Sequence, residues 1–297
     1  MKLLETRGPH VFGPWRVTQI VEWDGEAFPH SFLFPGIPID ELRACIPAGK
    51  DGRLTDEGVI ITSTQLFVLQ TEDHVVLIEQ GTGNGKSRPE APYWDHQDLP
   101  YQETLASLGI RPEDVDFVFF SHLHKDHVGL ATTRINDHWK PTFPRATYVL
   151  SRREWDYWNG LDRQDPLWHP CIDDSVLPLV NEGRVRFVRH GELVAGIRIH
   201  EAPGHTPGFL LFEVEGCGLW FTGDMLHHPA QVAHPEWPSS DFDVDSDGNR
   251  EQRHRYLKIF AESGAWVLGV HTGDLFQIME KQAGRFFVQY QNQAGIS

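Results

Sequence analysis

The chain has 297 residues, 40% of them hydrophobic and 23% charged, which is ordinary globular composition with enough length for a substantial core. Its 42 acidic side chains outnumber 26 basic ones, a net charge of −16, and such a surface repels phosphate backbones, which excludes a nucleic-acid partner. Cys45, Cys171 and Cys217 form no Cys-X-X-Cys pair, no window approaches the ~18 apolar residues of a spanning helix, and the start lacks a signal-peptide core, so we expect a soluble cytoplasmic protein without a membrane partner.

The proline-rich stretch 28–47 reads either as a flap over a site or as a surface loop. Val59–Leu69 and Val75–Glu79 read as neighbouring strands around a turn at Thr71–His74. Gly81-Thr82-Gly83-Asn84-Gly85 lacks the Gly-Lys-Ser/Thr ending of a phosphate loop and reads as a tight turn needing positive φ. Helical spacing covers Pro100–Leu108 and stops at Gly109, and 115–120 is an apolar strand. Another strand is expected at Ala146–Leu150, followed by a capping box, Ser151 to Glu154, that opens a helix through Trp155 and Trp158. After a polar loop at 162–174, strands follow at Val185–Val188, Ile197–Ala202, Phe209–Val214 and Leu219–Thr222. A helix from Arg250 to Ser263 closes at Gly264, and a last strand runs Ala265–Val270. Strands in two groups, each with helices, predict an α/β (α+β) fold: one domain over 1–297, an αββα sandwich of two mixed sheets flanked by helices.

Residues that bind transition metals stand where strands end. Ser-His-Leu-His-Lys-Asp-His at 121–127 brings His122, His124, Asp126 and His127 together directly after an apolar strand. Further on, His205 lies in Pro-Gly-His-Thr-Pro-Gly, Asp224 in Thr-Gly-Asp, and His271 follows Leu-Gly-Val. A lone histidine after a strand is usually a hydrogen-bonded surface residue. Seven donors in this order are instead what two adjacent metal ions require.

His-X-His-X-Asp-His, the histidine of Gly-His-Thr-Pro-Gly, the aspartate of Thr-Gly-Asp and the last histidine resemble the metallo-β-lactamase superfamily over about residues 59–271. The resemblance implies the αββα fold and two divalent ions, zinc first, with iron or manganese as alternatives. It implies His122, His124 and His205 on one ion, Asp126, His127 and His271 on the other, and Asp224 bridging both. That aspartate argues against a true class B β-lactamase. The stretch 222–256 is similar to the branch holding N-acyl-homoserine lactonases and methyl-parathion-hydrolase-like enzymes, which also implies a homodimer. One departure concerns Glu79-Gln80-Gly81, where the family usually has Asp-Thr-Gly; Glu79 is expected to support the metal loop from one methylene further out.

The implied chemistry is hydrolysis of a small-molecule ester or lactone by a bridging hydroxide. Asp126 is expected to orient the nucleophile and pass its proton to the leaving group, Asp224 to hold both ions, and His228 or its neighbour His227 to hydrogen-bond the oxyanion. Gly-X-Ser-X-Gly does not occur, which removes the α/β-hydrolase reading. Alternatives within the superfamily are a phosphotriester or thioester hydrolase and a mononuclear-iron persulfide dioxygenase. Lys125 is expected to point to solvent and Tyr157 to pack in a helix core. Trp94, Trp155, Trp158 and Trp237 read as ordinary packing or as an apolar acyl pocket.

Overall fold

The computed structural model describes residues 2–45, 54–164, 169–239, 242–282 and 284–290. Positions 46 and 47 of the expected flap, and 165–168 of the expected loop, lie outside the described residues. The chain divides into two compact units, Met1–Glu22 with Thr64–Ala195 and Trp23–Ser63 with Gly196–Ser297.

In chain order the first strands are β1 (Glu5–Phe12), β2 (Trp15–Pro29), β3 (Val59–Gln70), β4 (Val75–Ile78), β5 (Phe117–Phe119), β6 (Thr132–Ile135), β7 (His138–Pro141), β8 (Thr147–Ser151) and β9 (Val185–Val188); all lie in the first unit except residues 23–29 of β2 and 59–63 of β3. Seven of them form a mixed sheet in the order β1-β2-β3-β4-β5-β8-β9, and β6 and β7 pair separately. β3 and β4 are antiparallel around the expected turn, where Thr71 Oγ1 accepts from the backbone N–H groups of Asp73 and His74. β4, β5, β8 and β9 run parallel, with helical segments in the crossovers. Their apolar runs are the signature of strands covered on both faces; Leu77, Val118, Tyr148 and Leu150 are fully buried against Leu105, Trp155, Trp158 and Leu179 of those helices. The parallel register aligns Ile78 with Phe119 and Phe119 with Val149, so Glu79 and the 121–127 run leave the sheet at the same carboxyl edge. Ligands gather at that edge in parallel sheets.

The second sheet runs in sequence order: β10 (Leu193–Val194), β11 (Ile197–Glu201), β12 (Leu210–Val214), β13 (Leu219–Phe221), β14 (Trp266–Leu268), β15 (Phe276–Gln282) and β16 (Arg285–Tyr290). In the second unit the helix Ser246–Ser263 lays Tyr256, Leu257 and Phe260 against Phe209, Leu211, Trp220 and Val267. Asp245 Oδ1 accepts from Gly248 N at 2.9 Å to cap its start, and Gly264 at φ +64° ends it as the sequence predicted. A smaller core holds Leu33, Phe34, Leu42, Ile60, Ala230 and Trp237, so the described part of the expected flap is seated within its own unit by short helices His30–Leu33 and Ile39–Cys45.

Several details depart from the sequence reading. The hairpins β1–β2, β6–β7 and β15–β16 were not expected, and the loop to 174 already enters helical turns at Ile172. The box at Ser151 forms only in part. Glu154 N donates to Ser151 Oγ, but the Glu154 carboxylate is buried and accepts from Leu123 N and the Trp158 indole. Trp155, Trp158 and Trp237 are core residues, and Tyr157 packs against the first unit's core.

Candidate metal centre

In the first unit the donors hang on a loop gripped from three sides. Leu123 is fully buried, Glu154 accepts its N–H at 3.1 Å, and Ser121 N approaches Glu79 Oε1 at 3.3 Å. The chain then turns into the short helix Lys125–Val128, which turns Asp126 and His127 toward His122: the His122 ring lies 4.5 Å from that of His124 and 4.0 Å from that of His127. Donor atoms of His122 and His124 lie within 4.8 Å of one another, as do those of Asp126 and His127. Lys125 is not free in solvent: its ammonium lies 2.9 Å from Glu90.

Loop 79–83 and the turn after His127 interlock through backbone bonds, Gln80 N to His127 O, Gly129 N to Gly81 O and Leu130 N to Gln80 O, each 2.8 Å. A Cβ on Gly129 would meet Thr82 O at 1.9 Å and one on Gly83 would meet Gly129 at 2.3 Å, so the approach requires glycine. Beneath this loop Glu22 is buried and accepts from Thr82 N, Thr82 Oγ1 and the Tyr101 hydroxyl; burial outweighs these bonds and raises its pKa to about 7. His169, which the sequence reading did not single out, places its ring 5.5 Å from that of His124 and 5.1 Å from that of Trp158, and burial lowers its pKa to about 4.

In the second unit β13 and β14 are parallel and pair Phe221 with Leu268, so the segments carrying Asp224 and His271 leave one edge together. His205 sits in a turn whose Gly204 faces Asn249: a Cβ there would lie 2.3 Å from Asn249 N. The turn is stitched to the helix start by Val244 N to His205 O and Asp245 N to Gly204 O, both 2.9 Å. The Nε2 atoms of His271 and His205 lie 3.2 and 3.6 Å from Asp224 Oδ2. His227 adds a third imidazole, Nε2 3.4 Å from the same oxygen and its ring stacked 5.6 Å from His271; burial lowers its pKa against the pull of Asp224. His228, expected beside the reacting atoms, has its Nδ1 accepting from Ala230 N at 3.1 Å and its ring edge-on to Phe34.

The outer nitrogens decide what the inner ones can be. His271 Nδ1 lies 2.7 Å from the Ser63 carbonyl and His205 Nδ1 2.9 Å from Asp243 Oδ1. Carbonyl and carboxylate oxygens only accept, so each Nδ1 carries the proton and a neutral ring turns its Nε2 lone pair the other way. Those lone pairs face one carboxylate, that of Asp224. Lone pair against carboxylate is repulsive unless a cation lies between them. The nitrogen and oxygen donors, without cysteine, suit a borderline divalent ion. Glu79 Oε2 lies 3.1 Å from His127 Nδ1, beside the loop it was expected to support, whereas Glu154, Ser63 and Asp243 carry no sequence signal of their contacts.

Comparison with known proteins agrees with this geometry. A sequence model of the Metallo-beta-lactamase superfamily matches residues 61–271. The chain is 40% identical over 211 residues to the N-acyl homoserine lactonase AttM of Azorhizobium caulinodans, covering 65% of this chain and 73% of that protein. It is 23% identical over 221 residues to an N-acyl homoserine lactonase of Bacillus cereus, covering 67% and 81%. Among solved structures, AidC, a dizinc quorum-quenching lactonase, superposes with a TM-score of 0.75 at 19% identity over 99% of both chains. The hydrolase AbOPH of the beta lactamase superfamily gives 0.77 at 22% identity, over 96% of this chain and 97% of that one. These two likenesses bear on the fold. Among the described residues no helix is long and apolar enough to cross a membrane.

Proposed function

Because the chain belongs to the metallo-beta-lactamase superfamily, we propose that it is a dinuclear metal-dependent hydrolase that opens the ester bond of a lactone of the N-acyl-homoserine kind. The observation that carries this reading is the pair of buried imidazoles, His205 and His271, whose Nδ1 protons are spent on acceptor oxygens while their Nε2 atoms face Asp224. The lactonase relatives supply the substrate class.

In this proposal, on the division of ligands that the family resemblance implies, His122, His124 and His205 would hold one ion, Asp126, His127 and His271 the other, and Asp224 would serve both. Zinc fits the donor types and is the metal named for AidC. Such ions, when bound, bring water to the point of ionising near neutral pH and polarise an ester carbonyl. Asp126 takes the proton of the attacking water on its carboxylate and returns it to the leaving alkoxide. Of the paired histidines His227 is the better placed to donate a hydrogen bond to the developing oxyanion, since its ring already lies beside Asp224 and His271. The three thiols are all free, which supports a reducing, cytoplasmic setting.

The test is metal analysis followed by a panel of lactones with short and long acyl chains, thioesters, phosphotriesters and a glutathione persulfide. We expect two divalent ions per chain and lactone opening as the fastest reaction. Asp224→Ala should lower kcat/KM by more than about 100-fold, beyond the loss from removing an outer hydrogen bond. Full activity in Asp224→Ala, or one iron with oxygen uptake on the persulfide, would defeat the proposal.

A further inference from the structure

We infer that Asp243 is a positioning residue that fixes His205 in the tautomer and orientation needed to bind its ion; the inference rests on the metal-dependent reading and extends it to a residue outside the ligand motif. Asp243 lies beyond the seven donors, in the segment that leads to the helix Ser246–Ser263. Its side chain is wholly buried, as is that of His205. The Oδ1 atom lies 2.9 Å from His205 Nδ1 and accepts at 2.8 Å from Asn249 Nδ2, so the carboxylate is itself aimed by the first turn of the helix.

The surrounding backbone makes that aim rigid. Val244 N and Asp245 N donate to the carbonyls of His205 and Gly204, and Gly204 leaves room for Asn249 to close against it. Asp245 caps the same helix. His205 and Asp243 are therefore two sides of one small rigid frame. A carboxylate cannot donate, so it selects Nδ1–H in His205, and the Nε2 lone pair is left pointing toward Asp224 Oδ2. Without Asp243 the imidazole is free to take the other tautomer, in which Nε2 carries a proton and cannot bind a cation. Carboxylates in this relation to a ligating histidine fix its ring and raise its basicity, and removing them typically weakens metal binding about 10–100-fold.

Two measurements on the full chain test the assignment. In metal-free protein at pH 8, the ¹⁵N shifts of His205 should report Nδ1–H in the wild type and a mixture or Nε2–H in Asp243→Ala. In zinc titrations, Asp243→Ala should bind one ion about 10–100-fold more weakly and leave the other near wild type, with Asp243→Asn intermediate because its amide oxygen still accepts. Asn249→Ala, which removes only the clamp, should give a smaller loss of the same ion. An Nε2–H tautomer in the wild type overturns the inference whether or not metal binds. Unchanged affinity for both ions in Asp243→Ala overturns it while leaving the hydrolase reading intact. A wild type that binds two ions but opens no lactone sinks that reading and spares this one.

Discussion

Glu22 is a carboxyl group sealed under the loop that bears Gly81 and Thr82, with a pKa raised to about 7 chiefly by burial. Its ordinary value is 4.5, so the folded state holds a proton that the unfolded chain releases. The stabilisation from that proton is complete below pH 4.5 and is lost as pH rises to about 7; a shift of this size corresponds to about 3 kcal/mol. Glu22→Gln keeps the shape without the ionisation. Urea midpoints of variant and wild type should therefore diverge in the variant's favour between pH 5 and pH 8, and parallel curves would assign the pH sensitivity elsewhere. At this scale the candidate donors at 122–127 were legible because they cluster by spacing, and His205, Asp224 and His271 because each stands where a strand ends. Glu79 was visible as a replacement for a familiar aspartate. Asp243, Glu154 and Ser63 were not, because their partners are 38, 31 and 208 positions away and only the fold brings them together.

Among the elements, the interlock of loop 79–83 with the turn after His127 is the most demanding contact, since both sides approach through glycine. Gly129→Ala forces a methyl group into the Thr82 carbonyl and should cost about 3 kcal/mol or more, with loss of the ion that Asp126 and His127 would hold on the proposed function. Gly160, at the end of the helix Arg152–Gly160, has open space around it, and Gly160→Ala should be neutral or stabilising by a few tenths of a kcal/mol. Thermal melts and metal counts of the two variants check the contrast; equal effects would mean that the close approach is not real. The elements that the sequence announced were those with one dominant pattern. β4, β5 and β8 are continuous apolar runs, and the helix ending at Gly264 has clear punctuation. β1 escaped because none of its residues is buried, and β6–β7 because the ribbon is mostly exposed or half-buried. Such strands are fixed by pairing with a neighbour, which a pattern of burial cannot reveal.

For the whole molecule, the net charge of −16 includes Glu79, Asp126, Asp224 and Asp243, carboxylates with little or no exposure and little water to screen them. Divalent cations bound among them stabilise the folded chain by mass action, about 4 kcal/mol when the free ion exceeds its Kd a thousandfold. Chelation should therefore lower Tm by roughly 10 °C, and zinc should restore it. Asp224→Ala should show only a small fraction of that shift. A wild-type Tm indifferent to chelator would separate folding from metal binding.

The chain crosses between its two units at Glu22/Trp23, Ser63/Thr64 and Ala195/Gly196. A ribosome that has added residue 195 has released His122, His124, Asp126 and His127, while His205, Asp224 and His271 are still to be translated. The second unit, built from residues 23–63 and 196 onward, consequently closes only in the last third of synthesis. A nascent polypeptide stalled before residue 205 holds Leu33, Phe34, Leu42 and Ile60 without the Ala230 and Trp237 that complete their core.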